Sequence, residues 1–156
     1  MSVGLPTGLK ATRPKDDAEY FERMTKTLFT AGLSWTMVET KWPNFRKAFA
    51  AFSPEKVAKM TQKDVKSLMS NDGIVKNERK IKATINNANE FLKLKKEFGS
   101  FRGYLDSEGK DEAKLQSDLQ ERFQHVGPST ARMFLWSVGH ELTPTTEEKK
   151  WMAQNE

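Results

Sequence analysis

Phe123-Gln124-His125-Val126-Gly127-Pro128-Ser129-Thr130-Ala131 decides how this chain is read. A helical pattern over residues 112–123 runs into it, and a second pattern rich in small residues, Ser129 to Val138, runs out of it. Between them, Val126-Gly127-Pro128 is a tight break. Gly127 lets the backbone turn and come close to another backbone. The amides of Gly127, Ser129 and Thr130 fall where the second helix begins. Amides there have no intrahelical partner and sit at the positive end of the helix dipole, so together they suit one phosphate oxygen. Val126 is placed to anchor the hairpin between the two helices. The plainer reading of the same residues is an ordinary connection between helices, with Ser129 as a cap.

The rest of the chain is helical in pattern as well. Asp16 and Asp17 suit a helix N-terminus, and Tyr20, Phe21, Met24 and Leu28 recur at helical spacing up to Gly32. Ser34 is placed to cap the next segment, where Trp35, Val38 and Trp42 share a stripe until Pro43 breaks or restarts the helix. Phe45, Phe49 and Phe52 follow on one face. Ser53-Pro54 reads as a cap with proline at the first helical position, and Thr61 with Asp64 as a capping box. Asn71-Asp72-Gly73 is a turn. The longest pattern runs from Lys76 to Phe98 and ends at Gly99; Ser100 then caps a short helix to Leu105. A charged tail after Thr143 closes the chain. No alternation bounded by hairpin turns suggests a strand. The expectation is an all-α fold of about eight short helices. Residues 1–14, with Gly4, Pro6, Gly8 and Pro14, read as a flexible arm, and 15–156 as a single domain.

Composition agrees and narrows the chemistry. The 156 residues contain no Cys and 2 His, which removes thiol nucleophiles, disulfides and cysteine zinc sites. Aromatic residues make up 10%, too many for a disordered chain. Mean hydropathy is −0.72, and no apolar run reaches the ~18 residues of a membrane span. Without an apolar leader segment, the protein is expected in the cytoplasm, away from membranes. The net charge of +5 is compatible with a nucleic-acid partner. Lysine and arginine cluster at Lys76, Arg79, Lys80 and Lys82, and again at Lys93, Lys95 and Lys96. Such runs are usually solvated faces.

The Phe123–Ala131 segment looks like a helix-hairpin-helix DNA-binding element, although Gly is usual where His125 stands. Ahead of it come, in order, Ala31-Gly32-Leu33-Ser34-Trp35, Asn44-Phe45-Arg46-Lys47-Ala48-Phe49 and Phe52-Ser53-Pro54-Glu55-Lys56-Val57-Ala58-Lys59-Met60. Asp72-Gly73-Ile74-Val75-Lys76-Asn77, Lys80-Ile81-Lys82-Ala83 and Asn86-Asn87-Ala88 follow. This succession resembles the 3-methyladenine DNA glycosylase I family of the helix-hairpin-helix DNA glycosylase superfamily, from roughly Tyr20 to Gly139. The resemblance implies a helical bundle that binds alkylated double-stranded DNA, flips a damaged adenine from the stack and hydrolyses its N-glycosidic bond. It implies Trp35 as the stacking partner of the base and Leu33 as the wedge that fills the gap. It implies a monomer without redox cofactor or catalytic metal.

Three departures accompany the resemblance. The family has a base-recognising Glu eight positions before the tryptophan of Ala-Gly-Leu-Ser-Trp, and Thr27 stands there. A hydroxyl accepts a hydrogen bond but carries no charge. The family's Cys/His zinc clasp has no ligands here, and its aromatic N-terminal stretch is missing. Glu39, four residues after Trp35, is the carboxylate in line to substitute as a catalytic group. Its plainer role is a solvated partner of Lys41 or Arg46. Glu147 and Glu148 read as solvated tail. Beside the glycosylase stand two alternatives: a non-catalytic damaged-DNA-binding protein of the same fold, and a helical interaction domain without DNA.

Overall fold

The computed structural model describes residues 12–109, 111–140, 142, 143 and 146–154. Residues 1–11 of the expected arm lie outside them, as do the side chains of Glu147 and Glu148. Among the described residues the chain forms nine α-helices and no strand: α1 (Asp17–Thr30), α2 (Trp35–Ala48), α3 (Pro54–Ala58), α4 (Gln62–Met69), α5 (Glu78–Phe98), α6 (Phe101–Ser107), α7 (Glu112–Arg122), α8 (Pro128–Ser137) and α9 (Thr146–Gln154). No helix among them is long and apolar enough to cross a membrane.

The helices begin where short polar side chains satisfy free amides. Asp16, Ser34, Ser53, Asn77, Ser100 and Asp111 each accept a backbone N–H of the helix they precede. Thr61 and Asp64 form the expected capping box on α4. Each such cap contributes about 1 kcal/mol. Gly99 ends α5 in the left-handed region, at φ 83°.

Buried aromatic rings on α1, α2, α5 and α6 make the core. Phe91 of α5 stacks on Phe101 at 4.4 Å and meets Phe21 and Phe123 at 5.3 and 5.5 Å. Trp42 stacks between Phe45 and Phe52, at 4.9 and 5.1 Å. Such pairs contribute about 0.5–1.5 kcal/mol each beyond the apolar area they bury.

Two local features depart from the sequence reading. Helix α2 runs through Pro43 rather than breaking there. Proline removes one helix hydrogen bond, and burial of Trp42 and Phe45 on either side holds the helix together across the loss. After α2, Ala50, Ala51 and Phe52 form a single turn with φ of 53°, 55° and 59°. L-residues take this left-handed conformation at a cost of about 1–2 kcal/mol each. In return the turn delivers Phe52 into the core, fully buried.

Arg23 of α1 ties the segment before α1 to the end of α8. Its guanidinium donates to the carbonyl of Thr12 at 2.9 Å, to the Thr12 hydroxyl at 3.0 Å and to the carbonyl of Ser137 at the end of α8. Pro14, between Thr12 and α1, is buried.

Candidate active site

Helices α7 and α8 enclose the hairpin read from the sequence. Phe123 and Val126 are buried beneath it, so Val126 anchors the turn, while His125, Gly127, Pro128 and Ser129 face solvent. Gly127 is the N-cap of α8 and makes no side-chain cap, and Pro128 occupies the first turn. The Gly127 N-cap therefore offers no side-chain acceptor to the first amides of α8. The left-handed residue of the hairpin is His125, at φ 58°. Gly127 has an extended backbone, with φ −87° and ψ −174°. A β-carbon there would meet nothing within 4 Å. Neither backbone conformation nor internal packing requires glycine at 127. What its bare backbone leaves open is the space in front of the α8 amides.

His125→Gly should remove the left-handed penalty of roughly 1–2 kcal/mol, offset in part by about 0.4–1 kcal/mol of added freedom in the unfolded chain. Thermal unfolding should show a midpoint raised by about 2 °C; a lowered midpoint would mean that the imidazole itself holds the hairpin.

Next to the hairpin lies a cavity of about 260 Å³. Thr27, Thr30, Ala31, Gly32, Leu33 and Trp35 line one side, and Ser129, Thr130 and Met133 of α8 the other. Thr27 is 1% exposed and donates its hydroxyl proton to the carbonyl of Arg23 at 2.8 Å. With the proton used inside α1, the oxygen is left as an acceptor. Trp35 opens α2 and is half-buried, whereas Val38 and Trp42 on the same stripe are core. Trp35 therefore lines the cavity instead of completing the core. Among the described residues, Leu33 and Met37 beside it are the exposed large hydrophobic residues, each 38% exposed.

Glu39 is not brought to this cavity. It borders a separate recess of about 540 Å³ between α1 and α2, where it pairs with Lys26. Lys26 also lies 5.4 Å from the centre of the Trp42 ring. In the same recess Glu22 accepts the Trp42 indole N–H at 2.8 Å and faces Arg46 at 3.4 Å. Among its described lining residues the 260 Å³ cavity has no carboxylate.

Two polar residues of α5 hold the walls. Lys80 donates to the carbonyls of Phe29 and Ala31, at 3.2 and 2.9 Å. Burial pushes its ammonium below the usual lysine range. Asn87, 2% exposed, accepts the backbone N–H of Gln124 at 2.8 Å and donates to the Gln124 carbonyl at 3.2 Å. Sequence reasoning gave neither residue a role. A signal existed for Asn87: it falls among the buried positions Thr84, Ala88 and Phe91, where a polar side chain needs a specific partner.

A helical hairpin beside an aromatic-walled cavity, on an all-helical bundle, is the arrangement of a helix-hairpin-helix protein. The methyladenine glycosylase family model matches residues 11–127, and the chain belongs to that family. A DNA-3-methyladenine glycosylase of Haemophilus influenzae is 34% identical over 90 residues, 58% of this chain and 49% of that protein. DNA-3-methyladenine glycosylase 1 of Escherichia coli is 39% identical over 79 residues, 51% and 42% of the two chains. The chain thus spans about half the length of the curated relatives it matches. A crystal structure of a variant of 3-methyladenine DNA glycosylase I from Staphylococcus aureus superposes with a TM-score of 0.77 at 30% identity, covering 85% of this chain and 82% of that one. A structure of the same kind of enzyme in complex with 3-methyladenine gives 0.76 at 30% identity, with the same coverage.

Among the described residues, no three or more His, Asp or Glu side chains are grouped so that they could hold a metal ion.

Proposed function

We propose that the protein binds duplex DNA as a monomer and hydrolyses the N-glycosidic bond of an N-alkylated adenine of the 3-methyladenine type. The observation that carries this reading is the cavity shared by Thr27, Trp35 and the first turn of α8. It sets an aromatic wall, a hydrogen-bond acceptor and the N-terminal turn of a helix within one small volume. The relative bound to 3-methyladenine supports the choice of base.

In this reading the amides at the start of α8 hold a backbone phosphate next to the lesion. Leu33 enters the stack as the base leaves it, at a cost of a few kcal/mol that is lower for a damaged base. The extruded base stacks on Trp35, where its positive charge over the indole contributes about 0.5–2 kcal/mol. Thr27 accepts a hydrogen bond from the base's amino group. Water then forms a bond to the sugar C1′ as the bond from C1′ to the base breaks. The bonding pair passes to the base and neutralises its charge, and the water's surplus proton goes to solvent. Alkylation makes the base a good leaving group, so the reaction can proceed at a site whose described lining carries no carboxylate. Release of free base from methylated duplex DNA by the purified protein tests the reading.

The absent carboxylate also favours a second reading, a damaged-DNA-binding protein of the same fold. Tight binding to methylated duplex without base release would establish it. For the glycosylase, Glu39→Gln should leave the rate of base release within about twofold, since the residue touches Lys26 and not the cavity. A loss of a hundredfold or more would return Glu39 to the catalytic role expected from the sequence.

A further inference from the structure

We infer that Lys80 and Asn87 are positioning residues that make α5 the spacer between the base pocket and the phosphate-binding hairpin. The inference rests on the glycosylase reading above. The two residues lie seven positions apart, nearly two helical turns, on one face of α5 with Thr84 between them. Thr84 is buried and returns its hydroxyl to the Lys80 carbonyl at 2.8 Å.

Each residue grips backbone, and each grips a different wall. Lys80 holds the carbonyls of Phe29 and Ala31, where α1 ends and the loop carrying Leu33 and Trp35 begins. Asn87 holds both backbone groups of Gln124, immediately before the left-handed His125. Asn86 adds a bond from its amide to the Gln124 side chain at 2.9 Å. A side chain that bonds backbone fixes where the chain runs, whatever residue stands there. Lys80 also supplies a cation at the negative C-terminal end of α1. The gap between wedge loop and hairpin is therefore set through one continuous helix. A flipped base and its neighbouring phosphate are linked covalently at a fixed spacing, so productive binding needs both walls at that spacing together.

The test uses Lys80→Met, Lys80→Arg, Asn87→Leu and the Lys80→Met/Asn87→Leu double variant. Base release from methylated duplex and binding of free 3-methyladenine are measured, with thermal unfolding to establish folding. Lys80→Met and Asn87→Leu should each lower kcat/KM on duplex by about 10- to 100-fold. Free-base affinity should stay within about twofold, because the pocket itself survives. Lys80→Arg should recover most of the loss, since a guanidinium also reaches two carbonyls. The double variant should lose little more than the worse single one, as expected for two residues serving one spacing. Lys80 is only half-buried, so its variants keep the test open if Asn87→Leu does not fold. Unchanged duplex kcat/KM in folded Lys80→Met, loss of free-base binding in parallel, or fully multiplicative losses in the double variant would each overturn the inference. A wild-type protein that releases no base, whether or not it binds duplex, overturns the glycosylase reading instead.

Discussion

Trp35→Ala should cut base release from methylated duplex by about 10- to 1,000-fold or more while leaving weak duplex binding in place. Base stacking on an aromatic ring is worth about 1–3 kcal/mol. The charge of an alkylated adenine over an indole adds about 0.5–2 kcal/mol. Together these amount to one to three decades in rate or more, at about 1.4 kcal/mol per decade. The fold should tolerate the change, because Trp35 is half-buried at the start of α2 while Val38 and Trp42 hold the core. Duplex affinity measured beside base release separates the pocket from the hairpin. Full activity in the variant would show that the cavity between α1 and α8 is not where the base goes.

Gly127→Glu should weaken duplex binding on the order of 100-fold at low salt, without loss of fold. A hydrogen bond to a charged partner is worth about 1.5–3 kcal/mol, and a carboxylate at the start of α8 would add repulsion to its loss. Space exists for the new side chain, since a β-carbon at 127 meets no atom within 4 Å. The negative charge added beside a phosphate should also reduce the slope of log affinity against log salt by about 1. Titrations between ~50 and ~200 mM salt give both quantities. Unaltered affinity and slope in the variant would mean that the α8 amides face solvent alone and that phosphate is held elsewhere.

Most of the architecture is legible in the sequence because short polar caps and glycine stops mark the helix ends. Ser34, Ser53, Thr61 with Asp64, Gly99 and Ser100 all act where their chemistry suggests. The hairpin is legible for the same reason. What escapes such reading are choices made by distant packing. Ala-Ala-Phe carries no signal for a left-handed turn; burial of Phe52 against Trp42 imposes it. Pro43 reads as a break, yet flanking core aromatics carry the helix through. Trp35 and Trp42 look alike on one stripe, and only the third dimension gives one to the cavity and the other to the core. Glu39 shares a helix with Trp35 but turns towards Lys26 of α1, a partner 13 residues away in the chain. Lys80 and Asn87 bond residues 37 to 51 positions distant, beyond the reach of any local pattern.

For the proposed glycosylase, the anchoring of both walls to one 21-residue helix would have a mechanical meaning in lesion search. A reader with hinged jaws would close on every base pair and judge each one inside the pocket. A reader built on a stiff bar leaves the bending to the DNA. Undamaged, well-stacked duplex resists that distortion, whereas a step weakened by alkylation yields to it. Discrimination would then begin in the compliance of the double helix, before any base reaches Trp35, and intact sequence would be passed over quickly because it declines to bend.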